Sequence, residues 1–291
     1  MASISPMHPG MLKRIVNQTE SVYSLPVIYE RLTSVINHPR SSIADITRVI
    51  SEDQGLTARL LKLANSPLFG HFSKIDSIGM AATIIGTQQL QALALAVSVM
   101  EVFSGIPEEL ICMKSFWQHS ISCGTIARAL AVYRREANVE RVFAAGLLHD
   151  VGRVVMCSTI PDIVNETVSL SRNENMLLFS AEESLLGFDH AAVGGSLLSK
   201  WRIPMSIAEP VASHHAPLTA KEFPLEAAFI HLADIICQAL ALGFTGEYFV
   251  PPLEPLAWER LDIPAGSLAA IVKHVEPQLA ETLAILGESG P

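Results

Sequence analysis

The residues best suited to chemistry in this sequence are a histidine and an aspartate in an apolar stretch. His149 and Asp150 lie within AAGLLHDVGRVVMC, residues 144–157, which has the composition of a buried helix. Burying an unpaired imidazole or carboxylate costs about 2 kcal/mol or more, so such groups are normally hydrogen-bonded, ion-paired or bound to a metal ion. The stretch therefore predicts polar partners from elsewhere in the chain.

Candidate partners recur along the second half of the chain, mostly within predicted helices. They are His119, His190, His214, His215 and Asp234. Imidazole nitrogens and carboxylate oxygens are ligands of iron, manganese, zinc, nickel and magnesium, and helical bundles hold such ions with ligands from several helices. The series favours a site for one or two divalent ions. The alternative is that each histidine is a hydrogen-bonded core residue and that no ion is bound.

Two glycines flank His149 and Asp150 and affect whether these two residues can bind the same ion. Adjacent residues on a helix diverge by about 100°, so His149 and Asp150 share an ion only if it lies against the edge of their helix. Gly146 and Gly152 would allow a neighbouring helix to approach there.

The elements that must position these residues are predicted to be helices. Apolar residues recur at i, i+3, i+4 and i+7 throughout the chain, and alternating β-branched runs are nearly absent. A helix is expected over residues 27–37, and Ser42 is expected to cap the next one. Gly105, Ile106 and Pro107 are the best candidate for a boundary between an N-terminal bundle and the part that carries the histidines. The fold class is all-α.

Composition excludes several classes of function. Apolar residues make up 49% of the 291 residues and the net charge is −9, which argues against nucleic-acid binding because that requires a basic surface. The N-terminus lacks the apolar core of a signal peptide, and the most apolar run, residues 90–100, is too short to span a membrane. Four cysteines without CxxC spacing fit reduced thiols. We expect a soluble cytoplasmic protein without a membrane partner.

Several motifs resemble a known family. The order H…HD…D, made by His119, His149, Asp150 and Asp234, is similar to the signature of the HD superfamily of metal-dependent phosphohydrolases. The segments GLLHDVGR, GFDHAAVGGSLLSKWRIP, VASHHAP and HLADII resemble its HDOD subgroup, the HD-related output domains of bacterial signalling proteins. In the first half, LPVIYERL, ISEDQGLTARLLKLANSPLF and AATIIGTQQLQALAL are similar to the opening bundle of that subgroup. The resemblance covers roughly residues 22–245.

This resemblance implies a division of the site and of the chain. His119, His149, Asp150 and Asp234 would bind one ion, while His190 and His214, with His215 as a further candidate, match positions that bind a second ion in dinuclear relatives. Residues 1–21 would form an N-terminal extension, 22–105 a helical subdomain, 106–245 an HD-like metal-site subdomain, and 246–291 a loop and helix that pack on the core.

Two departures from the family pattern bear on activity. Arg153 occupies a position where many active HD enzymes have lysine, and Ala216, Pro217 and Leu218 replace the GYP sequence of the cyclic-dinucleotide phosphodiesterases. Arginine can hold phosphate but cannot shuttle a proton.

The first functional hypothesis is therefore a signal-transduction output module that acts mainly through a signalling protein partner, as a monomer or a homodimer. The second is a metal-dependent phosphohydrolase that acts on a nucleotide or another phosphate-containing ligand. In that enzyme Asp150 would bridge the ions or orient water, and Arg153 would neutralise phosphate charge.

Overall fold

The computed structural model describes residues 10–66, 74–103, 106, 108 and 111–287. Within these ranges every regular element is a helix and none is a strand. The predicted all-α fold is confirmed.

The described part of the first half is a bundle of six helices. They are α1 (Met11–Val22), α2 (Val27–Asn37), α3 (Ile43–Ser51), α4 (Gln54–Ala64), α5 (Ile78–Ile84) and α6 (Thr87–Val102). The helix predicted at 27–37 is confirmed. Ser42 caps α3 as expected: its side chain accepts a hydrogen bond from the Asp45 backbone, and the Asp45 carboxylate accepts one from the Ser42 backbone.

The second half contains the helices that carry the histidines and aspartates. They are α7 (Met113–Tyr133), α8 (Val139–Leu148), α9 (Val151–Thr159), α10 (Pro161–Glu174), α11 (Leu178–Leu186), α12 (His190–Lys200), α13 (Met205–Ser213) and α14 (Pro224–Ala239), with a short 3₁₀ turn at Pro217–Thr219. Helix α7 packs along α8 and α14, and α12 packs against α9 and α13. Each predicted ligand therefore comes from a helix, or a helix end, at the centre of this group.

The last two helices are α15 (Pro255–Leu261) and α16 (Ala265–Gly287). Helix α16 packs on α7 and also reaches α4 of the first bundle, so the described part of the predicted C-terminal segment lies on the core. Helix α16 continues through Pro277.

The predicted subdomain limits fall partly outside the described residues. Gly105 and Pro107, which mark the expected boundary, are not described, and neither are residues 1–9 of the expected extension. The rest of that extension forms most of α1, whose Ile15 is fully buried and which packs against α9 and α12. Helix α1 is thus part of the packing around the metal-site helices.

Glycines set the spacing of the helices around the site. A Cβ atom on Gly146 would lie 2.7 Å from the Gly124 Cα, so α7 and α8 touch at backbone distance. A Cβ atom on Gly152 would lie 1.9 Å from the His190 carbonyl oxygen, which places α9 equally close to α12. The close approach expected at Gly146 and Gly152 is confirmed.

One stretch of the described chain, Val139–Thr159, has the length and mean hydropathy (1.2) of a candidate membrane span. It comprises α8 and α9, and 89% of its apolar window is buried inside the protein. Such burial is typical of core helices.

Candidate metal centre

His149 and Asp150 lie at a break between two helices, and the expectation of one continuous helix was wrong. Helix α8 ends at Leu148 and α9 begins at Val151, with Asp150 at φ −95°, ψ 6°. In a continuous helix the two side chains would diverge by about 100°. The break lets both of them face the same interior point.

Asp150 is the centre of the cluster because its two carboxylate oxygens face different histidines. Oδ2 lies 3.4 Å from His149 Nε2 and 3.9 Å from His119 Nε2. Oδ1 lies 3.1 Å from His190 Nε2 and 3.7 Å from His214 Nε2. The carboxylate therefore stands between two groups of nitrogens, which is the arrangement of a bridging ligand.

Asp234 and His215 complete the two sides. Asp234 Oδ1, on α14, lies 3.1 Å from His119 Nε2 and 3.7 Å from His149 Nε2, and Gln238 Nε2 donates to both of its oxygens. On the other side, His215 Nε2 lies 2.9 Å from His190 Nε2, and its ring stacks on Phe179. The structure brings together all seven ligands predicted from the sequence.

The hydrogen bonds of two histidines fit the binding of a metal ion. The Nδ1–H group of His149 donates to the Gly146 carbonyl at 2.7 Å, and that of His214 donates to the Val211 carbonyl at 2.8 Å. Each Nε2 atom is buried and has no hydrogen-bond partner. Metal-binding histidines typically use one nitrogen as the ligand and anchor the other in this way. A divalent ion would satisfy the two unpaired atoms.

Three sets of ligand atoms lie within 4.8 Å of one another, which is close enough to hold an ion. They are His119, His149 and Asp150; His149, His214 and Asp234; and His190, His214 and His215. Their nitrogen and carboxylate donors suit zinc, iron, manganese or nickel better than calcium.

The charges of the cluster favour the protonation states in which most of its members can bind a metal ion. Burial raises the pKa of the Asp150 carboxyl, but the charge of His149 and the hydrogen bond from His190 hold that pKa well below its usual value. Burial would likewise raise the pKa of Asp234, but the hydrogen bond from His119 and the charge of His149 hold it well below its usual value. Both carboxylates are therefore ionised.

The histidines divide into two groups by pKa. Burial, together with the charge of His149, lowers the pKa of His214 to about 3. Burial lowers the pKa of His149 and His190 too, but the charge of Asp150 on the first and of Glu182 on the second raises each well above its usual value. His214 is thus neutral, whereas His149 and His190 hold protons that an ion would replace.

Arg153 and Glu182 form a buried pair beside the cluster. Arg153 Nη1 donates to Glu182 Oε1 at 2.7 Å, and Glu182 Oε2 accepts from His190 Nδ1 at 2.6 Å and from the His190 backbone at 2.9 Å. Glu182 is completely buried. Sequence analysis missed it, because Glu182 and Glu183 are adjacent in α11 and nothing in their spacing distinguishes the buried one.

A cavity of about 240 Å³ adjoins the cluster at His119. Most of its wall comes from residues 241–250, here called the covering loop, and Gln238 lines it from α14. Phe244, Tyr248 and Phe249 supply aromatic surface, and Glu247 supplies the only charged side chain in this lining. Of the cluster residues, His119 lines this cavity, and no lysine or arginine lines it.

Comparison with known proteins identifies the family of this chain. The family model of the HDOD domain matches residues 22–217. The chain belongs to the HDOD domain family. Among its curated relatives, an uncharacterised protein of Treponema pallidum (strain Nichols) is 26% identical over 202 residues, which are 69% of this chain and 39% of the relative. The chain thus spans about two fifths of that relative's length.

Solved structures of HDOD-like proteins share the fold. An HDOD domain protein of unknown function from Geobacter sulfurreducens is 26% identical, with a TM-score of 0.72 and coverage of 94% of this chain and 96% of that one. A protein from Shewanella amazonensis SB2B, named as a candidate phosphohydrolase, is 24% identical, with a TM-score of 0.74 and coverage of 96% and 99%. A candidate signal transduction protein from Marinobacter aquaeolei VT8 is 17% identical, with a TM-score of 0.73 and coverage of 98% and 68%.

Proposed function

We propose that this HDOD protein is a metal-binding regulatory module of a cytoplasmic signalling pathway and acts through contact with a protein partner. The observation that carries the proposal is the closed cluster around Asp150, in which the Nε2 atoms of His149 and His214 have no hydrogen-bond partner. An unsatisfied buried nitrogen costs free energy, so this cluster is better explained as an ion site than as a polar core.

Two half-sites follow from the distances. His119, His149, Asp150 and Asp234 would hold one ion, and Asp150, His190, His214 and His215 would hold a second, with Asp150 as the bridge. Every one of these residues except His215 is almost fully buried. Catalytic metal sites keep a position open for substrate, whereas structural sites are closed by protein ligands. The burial therefore supports a regulatory or structural ion.

The surroundings of the cluster also argue against phosphate chemistry. A phosphoryl group in a low-dielectric site requires cationic or backbone N–H groups to offset its charge. The cavity wall has no lysine or arginine and includes Glu247. Arg153 is directed to Glu182 and to the Thr245 carbonyl, so its guanidinium is already engaged.

A metal-dependent phosphohydrolase is the second candidate, and one observation favours it: the cavity reaches His119, so a small phosphate ester would have a path to the cluster. A bound ion would polarise a phosphoryl oxygen and lower the pKa of water. Asp150 would orient that water, and Arg153 would contribute positive charge after leaving Glu182.

Protein contact is supported by exposed apolar side chains near the covering loop. Six large apolar residues within 240–256 are more than one third exposed: Leu240, Phe244, Tyr248, Val250, Leu253 and Leu256. Concentrated apolar exposure is typical of interaction surfaces. The partner in this proposal is a signalling protein, bound by a monomer or homodimer of this chain.

Metal analysis tests the ion site. Protein purified without chelators or added metal is expected to carry about one to two equivalents of a transition metal, and His149→Ala and His214→Ala are expected to lose most of it. His274→Ala is the matched control, since His274 is an exposed histidine on α16. Equal metal content in all four proteins would contradict the ligand assignment.

Turnover separates the two candidate functions. We expect wild type, loaded with Mn²⁺, to hydrolyse a panel of nucleotide and generic phosphate esters no faster than His149→Ala. Hydrolysis by wild type that is lost in His149→Ala and kept in His274→Ala would instead establish the phosphohydrolase.

A further inference from the structure

The buried guanidinium of Arg153 joins two parts of the protein that are far apart in sequence. On one side Nη1 donates to Glu182 on α11 at 2.7 Å, and on the other Nε donates to the Thr245 carbonyl of the covering loop at 3.2 Å. Both contacts are shielded from water, because Arg153 is only 3% exposed. Buried charge-assisted hydrogen bonds of this kind are stronger than exposed ones and fix geometry.

Glu182 carries this connection to the ion site. Its Oε2 atom accepts hydrogen bonds from both the ring Nδ1 and the backbone of His190, which fixes the orientation of the ring. With Nδ1 held, His190 Nε2 faces Asp150 Oδ1 at 3.1 Å. Glu182 is thus the anchor of the His190 ring.

The covering loop rests directly on Arg153 and the neighbouring helices. A Cβ atom on Gly246, whose φ is +106°, would lie 2.5 Å from Arg153 Nη2. Glu247 accepts a hydrogen bond from the Leu178 backbone at 2.7 Å, and the Phe244 backbone donates to the Ser115 carbonyl. The loop therefore lies against the cluster through a small number of identifiable contacts.

We propose that Glu182 and Arg153 are positioning residues that fix His190 for ion binding and couple the ion site to the covering loop. The coupling rests on the proposed metal binding, and it identifies the element that responds to the ion. Because coupling between two sites is reciprocal, ion binding orders the loop to the same extent that loop contacts strengthen ion binding. The apolar side chains of the loop would then be presented in a metal-dependent way.

The test measures Mn²⁺ affinity by titration calorimetry and the hydrogen exchange of residues 241–250 by mass spectrometry, with and without Mn²⁺. In wild type, Mn²⁺ is expected to slow exchange of the loop. Glu182→Gln removes the charge that anchors His190 and is expected to weaken Mn²⁺ binding about 10- to 100-fold, the usual effect of losing such a partner. Glu140→Gln is the control, since Glu140 forms a 2.9 Å ion pair with Arg128 away from the cluster.

Two further variants separate positioning from coupling. Arg153→Lys keeps a positive charge for Glu182 but lacks the guanidinium fork that also reaches Thr245. We expect the loop no longer to respond to Mn²⁺ and, by the same reciprocity, Mn²⁺ affinity to fall by only about 5-fold, less than in Glu182→Gln. Gly246→Ala keeps both Arg153 and Glu182 in the chain but forces the loop and Arg153 Nη2 apart, since the added Cβ atom would lie 2.5 Å from that nitrogen. It should weaken Mn²⁺ binding by about 5-fold or more.

The outcomes discriminate between the two proposals. Wild type that binds no Mn²⁺ overturns the metal-binding function and the coupling with it. Wild-type binding that is unchanged in Glu182→Gln overturns the positioning role alone. If hydrogen exchange of the wild-type loop is the same with and without Mn²⁺, the coupling is overturned and the ion site is not affected. The same conclusion follows if Gly246→Ala binds Mn²⁺ with wild-type affinity.

Discussion

Asp150→Asn is expected to abolish ion binding at both half-sites, with a loss of affinity of at least about 100-fold, or roughly 2.8 kcal/mol at 1.4 kcal/mol per factor of ten. Asp150 contacts nitrogens on both sides of the cluster, with Oδ2 toward His149 and Oδ1 toward His190. Asparagine keeps the shape but replaces one oxygen by an NH₂ group and removes the negative charge. Neither half-site then retains its carboxylate from the α8–α9 break.

Asp234→Asn provides an internal comparison. The Asp234 carboxylate lies 3.1 Å from His119 Nε2 and 3.7 Å from His149 Nε2. Its loss should therefore affect that half-site and leave the ion held by His190, His214 and His215. Metal content measured by mass spectrometry should therefore fall to near zero in Asp150→Asn and by about one equivalent in Asp234→Asn, if wild type holds two. Asp76→Asn, at an exposed carboxylate, is expected to match wild type.

Asp150→Asn also leaves His149 without its main counter-charge and removes one of the counter-charges of His190. Breaking a buried ion pair typically costs about 3–5 kcal/mol, so the metal-free variant should also unfold at lower urea concentration than wild type. Metal content is to be compared under conditions where circular dichroism shows the variant folded. A folded Asp150→Asn protein with wild-type metal content would contradict the bridging role.

The ligand series could be predicted from sequence because polar groups in apolar surroundings are informative. His119, His149 and Asp234 each lie in an apolar helical stretch, and each is almost fully buried in the cluster. Apolar periodicity and capping residues such as Ser42 likewise predict helices correctly here, because they reflect local preferences that the tertiary packing of this protein does not override. The all-α fold follows from the same signals.

The parts that sequence analysis could not provide depend on contacts distant along the chain. The helix break after Leu148 could not be predicted, because neither His149 nor Asp150 is a glycine or proline that would indicate it. It is stabilised by the convergence of both side chains on groups from α7, α12, α13 and α14. Glu182 was missed for the same reason, because its partners Arg153 and His190 come from other elements.

Arg153 illustrates how the structure changes the interpretation of one residue. From sequence, the replacement of the lysine found in many active HD enzymes suggested a group that binds phosphate without moving a proton. In the structure the guanidinium donates hydrogen bonds in two separate directions, one to Glu182 and one to the Thr245 carbonyl. A lysine ammonium, as a point charge, is less suited to such a fixed pair of contacts. The arginine thus fits a role in linking the loop to the site.

Gly152→Ala is expected to disrupt the packing that creates the site. The added Cβ atom would lie 1.9 Å from the His190 carbonyl oxygen and 2.7 Å from the Gly194 nitrogen. Both are backbone atoms of α12, so a side-chain rotation cannot relieve the clash and α9 and α12 must separate. Overpacking of this kind costs about 1–3 kcal/mol or more, and the separation also moves His190 relative to Asp150. Unfolding free energy and metal content should therefore fall together.

Gly266→Ala is the matched control for that experiment, because it makes the same chemical change where there is room. A Cβ atom on Gly266 would have nothing within 4 Å, and the residue lies in α16. Alanine is favoured over glycine in helices by up to about 1 kcal/mol, so this variant should be as stable as wild type or slightly more stable. Urea unfolding followed by circular dichroism measures both changes. If Gly152→Ala instead behaved like Gly266→Ala, with full stability and full metal content, the backbone contact between α9 and α12 could not be what holds His190 in place. The metal centre would then keep its ion even though α9 and α12 had moved apart, which the short distances around Asp150 do not allow.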